Sequence, residues 1–374
     1  MKLVFVSPTY PLRGGIARYG THLLANLQKH HNCLGIGYKK LYPRILFPGK
    51  SQFEADPLPI SGSQAVAVLH YGRGSTWREA LRKIRSFAPD AVIVAWWVTF
   101  WAPHLGWLSR KLAPDIPVLF ICHNVLPHEV HRLDPILVRW ALRPGRGFIT
   151  HSEEDRRRLL NFFPSAVVRR CEHPLYTSDE LKLPTREEAR RILGISGRML
   201  LFFGFIRPYK GVDVAIKAFS LLSDEYRDVF LWIAGEFWED EKRYHQQIEE
   251  LNLQHTVRIE SGYLPESDLF LRLAACDGVI LPYRSATGSG ALATAYAARR
   301  PVIATKCGCF QEMVTDDVSG LLCEPGDARS LAHAVERFYS EAGAERFAAG
   351  VADKRRKFSW DGILSAIEEL IRYE

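Results

Sequence analysis

The chain has 374 residues, which is more than one compact core usually holds, so we expect two domains of similar size. Hydrophobic residues make up 47% of the sequence and charged residues 24%, a composition that excludes a disordered, collagen-like or disulfide-stapled chain. The formal net charge of +7 is unevenly distributed, because residues 1–185 hold 25 Lys and Arg against 13 Asp and Glu, whereas residues 186–374 hold 24 against 29. A basic first half can attract an anionic substrate, an anionic membrane or nucleic acid. Nucleic acid is the least favoured of the three, since the sequence has no zinc-finger spacing, recognition-helix pattern or RNP-type motif.

Several sequence features bear on the compartment. The seven cysteines include no C-x-x-C pair, which favours a reducing cytosol over a disulfide framework or a zinc site. The N-terminal apolar run is broken by Ser7 and Pro8 and is shorter than the apolar region of a signal peptide. Residues 91–109 carry no Asp, Glu, Lys or Arg and approach the length of a membrane span. Pro103 and His104 interrupt them, so we predict a buried strand followed by a loop and a helix, in a cytoplasmic protein.

Short apolar runs alternate with amphipathic segments in the first half of the chain. The pattern predicts strands at 3–6, 91–95, 118–122 and 148–150, and helices at 19–28 and 153–162. Such alternation is typical of a parallel sheet covered by helices.

The same pattern restarts near residue 199. It predicts strands at 199–203, 230–234, 257–260, 278–282 and 301–305, and helices at 212–222, 241–251 and 291–298. The polar segment 177–197 separates the two series. We therefore predict a first domain over 1–184, a second over 185–355, and a C-terminal helix over 356–374 that packs back toward the first domain.

Each half opens with a strand, a glycine-containing loop and a helix. In open α/β sheets, ligands bind beyond the carboxyl ends of the strands. Neither G-x-G-x-x-G nor G-x-x-x-x-G-K-S/T is present, which disfavours dinucleotide binding and ATP hydrolysis.

Three loops could hold a phosphate. Residues 285–292 (SATGSGAL) precede a predicted helix, whose N-terminal amides and dipole attract anions; a loop with a Ser or Thr N-cap is the alternative. Arg207 and Lys210 could neutralise a diphosphate, or belong to a solvated basic loop. Gly14 and Gly15 permit a close backbone approach or form a simple turn.

The order of these motifs resembles the group 1 (family 4) retaining glycosyltransferases. The resemblance rests on Gly14-Gly15, on GFIRPYKG at 204–211, and on LPYRSATGSG at 281–290 followed by PVIAT at 301–305. It extends to residues 308–314 and to GLLCEPG at 320–326. It implies the α/β GT-B fold, in which two Rossmann-like domains face each other across a cleft, with acceptor recognition mostly in the first domain and a nucleotide-sugar in the second.

The resemblance also implies roles for individual residues. Arg207 and Lys210 match the family's diphosphate-binding pair, and His123 matches its histidine near the sugar, so these three are the candidate catalytic residues. A capping or core histidine is the alternative for His123. The implied diphosphate site comprises Gly14, Gly15, Arg207, Lys210, Gly288, Ser289, Gly290, Ala291 and Leu292, and Tyr263, Leu264 and Thr294 are expected near the ribose or base.

The chain departs from the family at two positions. Many members carry two glutamates there, the first on the donor sugar and the second on the ribose. Alignment on Pro301-Val302 puts Ala286 and Thr294 at these positions. Thr294 could offer a hydroxyl to the ribose but not a carboxylate's strong acceptor.

The expected reaction is retaining transfer of a hexose from a UDP- or GDP-sugar to a saccharide or lipid-linked acceptor, in polysaccharide or glycolipid biosynthesis. We expect no metal and no cofactor; His128, Glu129 and His131 could be mistaken for a metal cluster. Trp96, Trp97 and Trp101 line the acceptor cleft or form a core cluster. The basic first domain would attach peripherally to the inner, anionic face of a membrane. A GT-B epimerase or phosphorylase, or a non-catalytic nucleotide-sugar-binding module, is the alternative.

Overall fold

The computed structural model describes residues 1–43, 51–54, 65–127, 130–176, 183–286, 288–340 and 343–373. The chain divides into two compact units, which we call unit 1 (Met1–His173 with Trp360–Glu374) and unit 2 (Pro174–Ser359). The sequence predicted a domain boundary between residues 184 and 185, whereas the two units divide between residues 173 and 174. Leu175 belongs with unit 2 because its amide donates to the carbonyl of Phe358, at 3.0 Å.

Unit 1 has a seven-stranded parallel sheet in the order β3-β2-β1-β4-β5-β6-β7. The elements are β1 (Lys2–Val6), α1 (Gly15–His30), β2 (Asn32–Lys40), β3 (Ala65–His70), α2 (Gly74–Phe87), β4 (Ala91–Trp96), α3 (Ala102–Leu112), β5 (Val118–Cys122), α4 (Asp134–Leu142), β6 (Gly147–Thr150), α5 (Glu153–Phe162) and β7 (Val168–Arg170). Every residue of β4 and β5 is buried, as expected for central strands covered on both faces.

Unit 2 has a six-stranded parallel sheet in the order β10-β9-β8-β11-β12-β13. The elements are α6 (Arg186–Leu193), β8 (Met199–Phe203), α7 (Val212–Phe219), β9 (Phe230–Gly235), α8 (Lys242–Glu250), β10 (Val257–Ser261), α9 (Glu266–Ala275), β11 (Gly278–Leu281), α10 (Gly290–Ala297), β12 (Val302–Thr305), α11 (Cys309–Met313), β13 (Gly320–Cys323), α12 (Ala328–Ser340) and α13 (Ala348–Lys357). The predicted strands and helices of this half are confirmed within a few residues.

The last helix, α14 (Asp361–Arg372), belongs to unit 1. It packs on β6, where a Cβ added to Gly147 would lie 2.9 Å from a Leu370 methyl group. The preceding Trp360 contacts Tyr19 of α1, with 5.2 Å between the ring centroids. The chain thus returns to the first unit through its final residues.

Residues 91–109 form β4, a 3-10 turn over Thr99–Trp101 and most of α3. The prediction of a strand, a loop and a helix is therefore confirmed. In the part of the chain that the structure describes, no helix has the length and apolar character needed to cross a membrane.

In each sheet the strand order reverses at one point, between β1 and β4 in unit 1 and between β8 and β11 in unit 2. In unit 2, β8 pairs with β11, with Leu200 opposite Gly278 and Leu201 opposite Val279. The loops that follow these two strands therefore leave the same edge of the sheet side by side, at the topological switch point where such folds bind ligands. They are the loops that contain Arg207, Lys210 and residues 288–290.

Candidate active site

The first loop of the site joins β8 to α7 and is shaped by glycines at its two ends. Gly204 and Gly211 have φ values of 105° and 68°, which L-residues with a side chain rarely adopt. A Cβ added to Gly211 would lie 2.0 Å from the carbonyl oxygen of Pro282, just after β11. The glycine therefore lets the two switch-point loops touch.

Lys210 is buried in this loop and is only 8% exposed. Burial, and to a lesser degree the nearby Arg207 charge, lowers the pKa of Lys210 to about 7. Its Nζ atom lies 5.3 Å from the ring centroid of Tyr283, in the second loop. Burial disfavours the charged form of the lysine, and an anionic ligand would favour that form again. A buried lysine with a lowered pKa is therefore a candidate for binding an anion.

Arg207 lies at the start of the same turn, and its carbonyl accepts a 2.9 Å hydrogen bond from the amide of Lys210. The guanidinium carbon lies 5.6 Å from the ring centroid of Tyr209 and 5.8 Å from that of Trp238. These aromatic contacts orient a planar cation with several donors, the group best suited to phosphate oxygens.

Arg284 holds the two loops together and was not identified from the sequence. Its guanidinium donates to both carboxylate oxygens of Asp213 on α7, at 3.0 and 2.7 Å, and to the carbonyl of Pro208, at 2.7 Å. Its amide donates to the carbonyl of Tyr209, at 2.7 Å. The position next to the Leu281-Pro282-Tyr283 motif was the only sequence signal for this role.

The second loop leads into α10, and Ser289 is the N-cap of that helix. Its hydroxyl accepts a 3.1 Å hydrogen bond from the amide of Leu292, and its side chain also forms a hydrogen bond with Tyr283. The first amides of a helix have no intrahelical acceptor, so those of Gly290 and Ala291 suit an anion. The N-cap interpretation and the phosphate-loop interpretation are thus compatible.

Ala286 and Thr294, which the sequence comparison predicted to stand where many family members carry glutamates, are both buried. Thr294 donates its hydroxyl to the carbonyl of Gly290, at 2.7 Å, inside α10. The carbonyl of Ala286 accepts a 2.9 Å hydrogen bond from the amide of Cys309, and a Cβ on Gly308 would lie 1.7 Å from that carbonyl oxygen.

Tyr263 and Leu264 follow β10, and Tyr263 is 37% exposed. The ring of Phe205 lies between two others, 6.3 Å from Tyr263 and 4.6 Å from Trp238, measured between centroids. Tyr263 thus joins an aromatic row at the same sheet edge as Arg207.

In unit 1, Gly14 is the N-cap of α1 with a φ of 105°, and Gly15 begins the helix. A Cβ added to Gly15 would meet no atom of the described residues within 4 Å, so the described part of the chain leaves the backbone there open to close approach.

His123 directly follows β5 and packs edge-on against Tyr19, with 4.4 Å between the ring centroids. Burial, and then the neighbouring His151 and His173, lowers the pKa of His123 well below its usual value. The imidazole is therefore neutral at pH 7, and its buried Nε2 atom has no hydrogen-bond partner among the described residues.

Sequence reasoning did not identify the other members of this histidine cluster (His123, His151, His173). The rings of His123 and His151 lie 5.4 Å apart, and those of His151 and His173 lie 5.1 Å apart. Their positions just beyond β5, β6 and β7 were the available signal, since the carboxyl ends of parallel strands share one edge.

The predicted acceptor tryptophans lie inside unit 1. Trp96, Trp97 and Trp101 are 0%, 7% and 1% exposed. Trp96 donates its Nε1–H to the carbonyl of Val125, at 3.3 Å, and Trp97 donates to the hydroxyl of Tyr42, at 2.8 Å. This burial favours the core cluster, the second of the two sequence interpretations.

Within the described ranges, no group of three or more His, Cys, Asp or Glu residues could hold a metal ion. His128 and Glu129 lie outside those ranges, so the cluster they could form with His131 is not covered by this statement.

Two family models match the chain: "Glycosyltransferase Family 4" over residues 13–171 and "Glycosyl transferases group 1" over residues 185–357. The chain belongs to the group 1 glycosyltransferases. The D-inositol 3-phosphate glycosyltransferase of Corynebacterium aurimucosum is 28% identical over 297 residues, which cover 71% of this chain and 68% of the relative. The GDP-mannose:glycolipid 4-beta-D-mannosyltransferase of Xanthomonas campestris pv. campestris is 29% identical over 206 residues, about half of each chain (53% and 52%).

Solved structures support the GT-B fold. Sucrose-phosphate synthase from Thermosynechococcus elongatus superposes with a TM-score of 0.75 at 18% identity, covering 99% of this chain and 98% of that chain. HepE of Anabaena, solved in complex with UDP and glucose, superposes with a TM-score of 0.73 at 18% identity, with the same coverage. The predicted α/β class and the two Rossmann-like domains are confirmed, and the family assignment identifies this group 1 glycosyltransferase as an enzyme of hexosyltransferase type.

Proposed function

We propose that this group 1 glycosyltransferase transfers a hexose from a UDP- or GDP-sugar to a saccharide or lipid-linked acceptor, with retention of anomeric configuration. The proposal rests mainly on one observation at the switch point of unit 2. The Lys210 ammonium lies over the ring of Tyr283, and Ser289 forms a hydrogen bond with the same tyrosine. A buried cation and a helix N-terminus at one sheet edge form the arrangement that binds a diphosphate. HepE, a structural neighbour, was solved with UDP and with UDP-glucose, which supports a nucleotide-sugar donor.

The chemistry requires stabilisation of the negative charge that develops on the departing diphosphate. Arg207, Lys210 and the first amides of α10 would supply fixed positive potential there, in a dry environment where it acts strongly. The bond from the anomeric carbon to the phosphate oxygen breaks as the acceptor oxygen bonds to that carbon from the same face. The departing phosphate oxygen takes the acceptor's proton, so the reaction needs no protein nucleophile.

For His123 we propose a hydrogen bond to a hydroxyl of the donor sugar. Its imidazole is neutral because burial lowers its pKa, and a neutral ring can either donate or accept such a bond. The basic character of residues 1–185 supports an acceptor presented at an anionic membrane, with the protein bound peripherally in a polysaccharide or glycolipid pathway.

The test is a thermal-shift screen of the full chain against UDP- and GDP-sugars. A ligand at 100 times its dissociation constant stabilises the folded state by about 2.7 kcal/mol. Arg207→Ala and Lys210→Ala should each abolish the shift. Arg258→Ala is the matched control, since its guanidinium also lies on an aromatic ring, 4.5 Å from the Trp232 centroid, but outside the two loops.

An unchanged shift in both loop variants would refute the proposed donor site. Release of free nucleoside diphosphate separates the remaining possibilities. A transferase releases it in step with glycosylation of an added acceptor, an epimerase acts without acceptor, and a binding module releases none.

A further inference from the structure

One helix of unit 1 carries a row of exposed apolar side chains that the proposed reaction does not use. Leu133, Ile136 and Trp140 are 66%, 64% and 38% exposed. Their spacings of three and four residues place them on one face of α4 and its N-cap. Val130, 55% exposed, lies just before the helix. We call these four residues the α4 ridge.

The ridge is held in place by α3. The opposite face of α4 is buried, through Asp134, Val138, Ala141 and Leu142. A Cβ added to Gly106 of α3 would lie 2.2 Å from the ring of Trp140, so glycine is needed for the indole to rest on α3. The Arg110 guanidinium lies 4.9 Å from the same ring centroid and donates to the carbonyl of Trp140. The apolar row is therefore a fixed surface feature.

Positive charge flanks the ridge. Arg132, Arg139 and Arg143 are exposed, and the last two lie four residues apart, on a stripe next to the apolar row. Asp134 is the one acidic residue between positions 130 and 146. It is 4% exposed, and its carboxylate accepts bonds from the Thr99 hydroxyl and the His131 amide, at 2.5 and 2.6 Å. Among the described residues 130–146, the exposed Lys, Arg, Asp and Glu side chains are therefore all arginines.

We propose that the α4 ridge and its arginines dock this protein onto an anionic lipid bilayer. An apolar row that enters the interface beside a cationic stripe that meets lipid phosphates is the pattern of an interfacial helix. A second copy of the chain fits less well, because pairing two such surfaces would bring like charges together. The inference rests on the peripheral membrane attachment proposed above, for which it names the docking face, and it does not depend on the donor site.

The experiment measures co-sedimentation of the full chain with vesicles of phosphatidylcholine that contain about 30% phosphatidylglycerol, and with pure phosphatidylcholine. Wild-type protein should bind the anionic vesicles and release as salt rises. Ile136→Ser should weaken binding at least tenfold, and the double variant Arg139→Gln/Arg143→Gln about 30-fold. The matched controls are Ile192→Ser on α6, which removes an apolar side chain of 62% exposure, and Arg82→Gln on α2; both should bind like wild type.

Melting temperature and the nucleotide-sugar shift are measured on every variant, so loss of folding or of the donor site is recognised separately. Absent binding to anionic vesicles overturns the inference, as does equal binding by the α4 variants and their controls. A concentration-dependent dimer that the α4 substitutions abolish would assign the ridge to self-association instead.

Discussion

The ammonium of Lys210 lies 5.3 Å from the ring centroid of Tyr283, although the two residues leave different strands of the sheet. The same tyrosine is hydrogen-bonded through its side chain to Ser289, the N-cap of α10. One buried tyrosine thus interacts with both the cation and the helix N-terminus. Burial raises the pKa of Tyr283 well above its usual value, so the phenol remains neutral.

We expect Tyr283→Phe to keep the ring under Lys210 but to lose the hydrogen bond with Ser289. The free energy of unfolding should fall by about 1 kcal/mol, and affinity for the nucleoside diphosphate of the donor, UDP or GDP, should fall about fivefold because α10 is no longer fixed. Tyr296→Phe is the matched control, since it removes a buried Tyr–Ser hydrogen bond of 3.0 Å in the same unit. Calorimetric titration with UDP and with GDP measures the affinity, and thermal melting measures the stability. Equal affinity losses in the two variants would contradict a positioning role for Tyr283.

Gly211→Ala should lower stability and also abolish donor binding, which is more than the left-handed backbone conformation alone predicts. Gly211 and Gly194 have nearly equal φ values, 68° and 66°. An added Cβ would meet the Pro282 oxygen at Gly211, whereas at Gly194 it would meet no described atom within 4 Å. Gly194→Ala should cost about 1–2 kcal/mol of unfolding free energy from the left-handed conformation. Gly211→Ala should cost that amount and also separate the loops, so the nucleotide-sugar shift disappears. Equal effects in the two variants would show that loop contact is unimportant.

Donor binding should depend on pH through Lys210. Burial lowers the pKa of Lys210 to about 7, and a bound diphosphate should raise it by favouring the ammonium. Above pH 7 the free protein loses this proton, so binding must restore it, and affinity should fall by up to about tenfold per pH unit. Titrations in buffers of different ionisation enthalpy should detect proton uptake. Binding without proton uptake near pH 8 would show that Lys210 does not face the diphosphate.

Unit 1 should lose stability on acidification through its histidine cluster. Burial, and then the adjacent His173, lowers the pKa of His151 to about 3, against about 6.5 in the unfolded chain. Below pH 6.5 the unfolded state therefore takes up the proton first, and the free energy of unfolding falls until the pH reaches about 3. His151→Asn should remove about 1 kcal/mol of the loss between pH 7.5 and 5.5. A pH curve that is unchanged by His151→Asn would refute this assignment.

We also expect turnover without a metal ion, because Arg207, Lys210 and the α10 amides would balance the diphosphate charge themselves. Activity measured after EDTA treatment should equal untreated activity, and added Mg²⁺ or Mn²⁺ should not raise it. Loss of activity in EDTA that Mn²⁺ restores would show that a bound cation shares this role.

Several features of the active site could not be predicted from sequence patterns. Tyr283, Arg284 and Asp213 act through contacts between loops that are about 70 positions apart in the chain, as in the 2.7 Å bond from Arg284 to Asp213. Trp96 and Trp101 were assigned equally to a core and to a cleft, because their side-chain type fits both environments. Their exposures of 0% and 1% became visible only once the neighbouring elements were in place.

Local order along the chain was sufficient for the α/β class, the expectation of two domains and the loops that carry Arg207, Lys210 and Ser289. The Rossmann-like character of the two domains was implied by the resemblance to the family. Periodicity and strand–loop–helix order are short-range properties, which each segment carries by itself. Strand adjacency is a long-range property: β8 lies beside β11 only because the whole sheet assembles in that order. Strand β2 was not predicted, because no apolar run in the sequence indicates it. A Cβ added to its Gly35 would lie 2.6 Å from a Leu24 methyl group and 3.0 Å from Ala65. This strand therefore depends on the helix and the strand that pack against it.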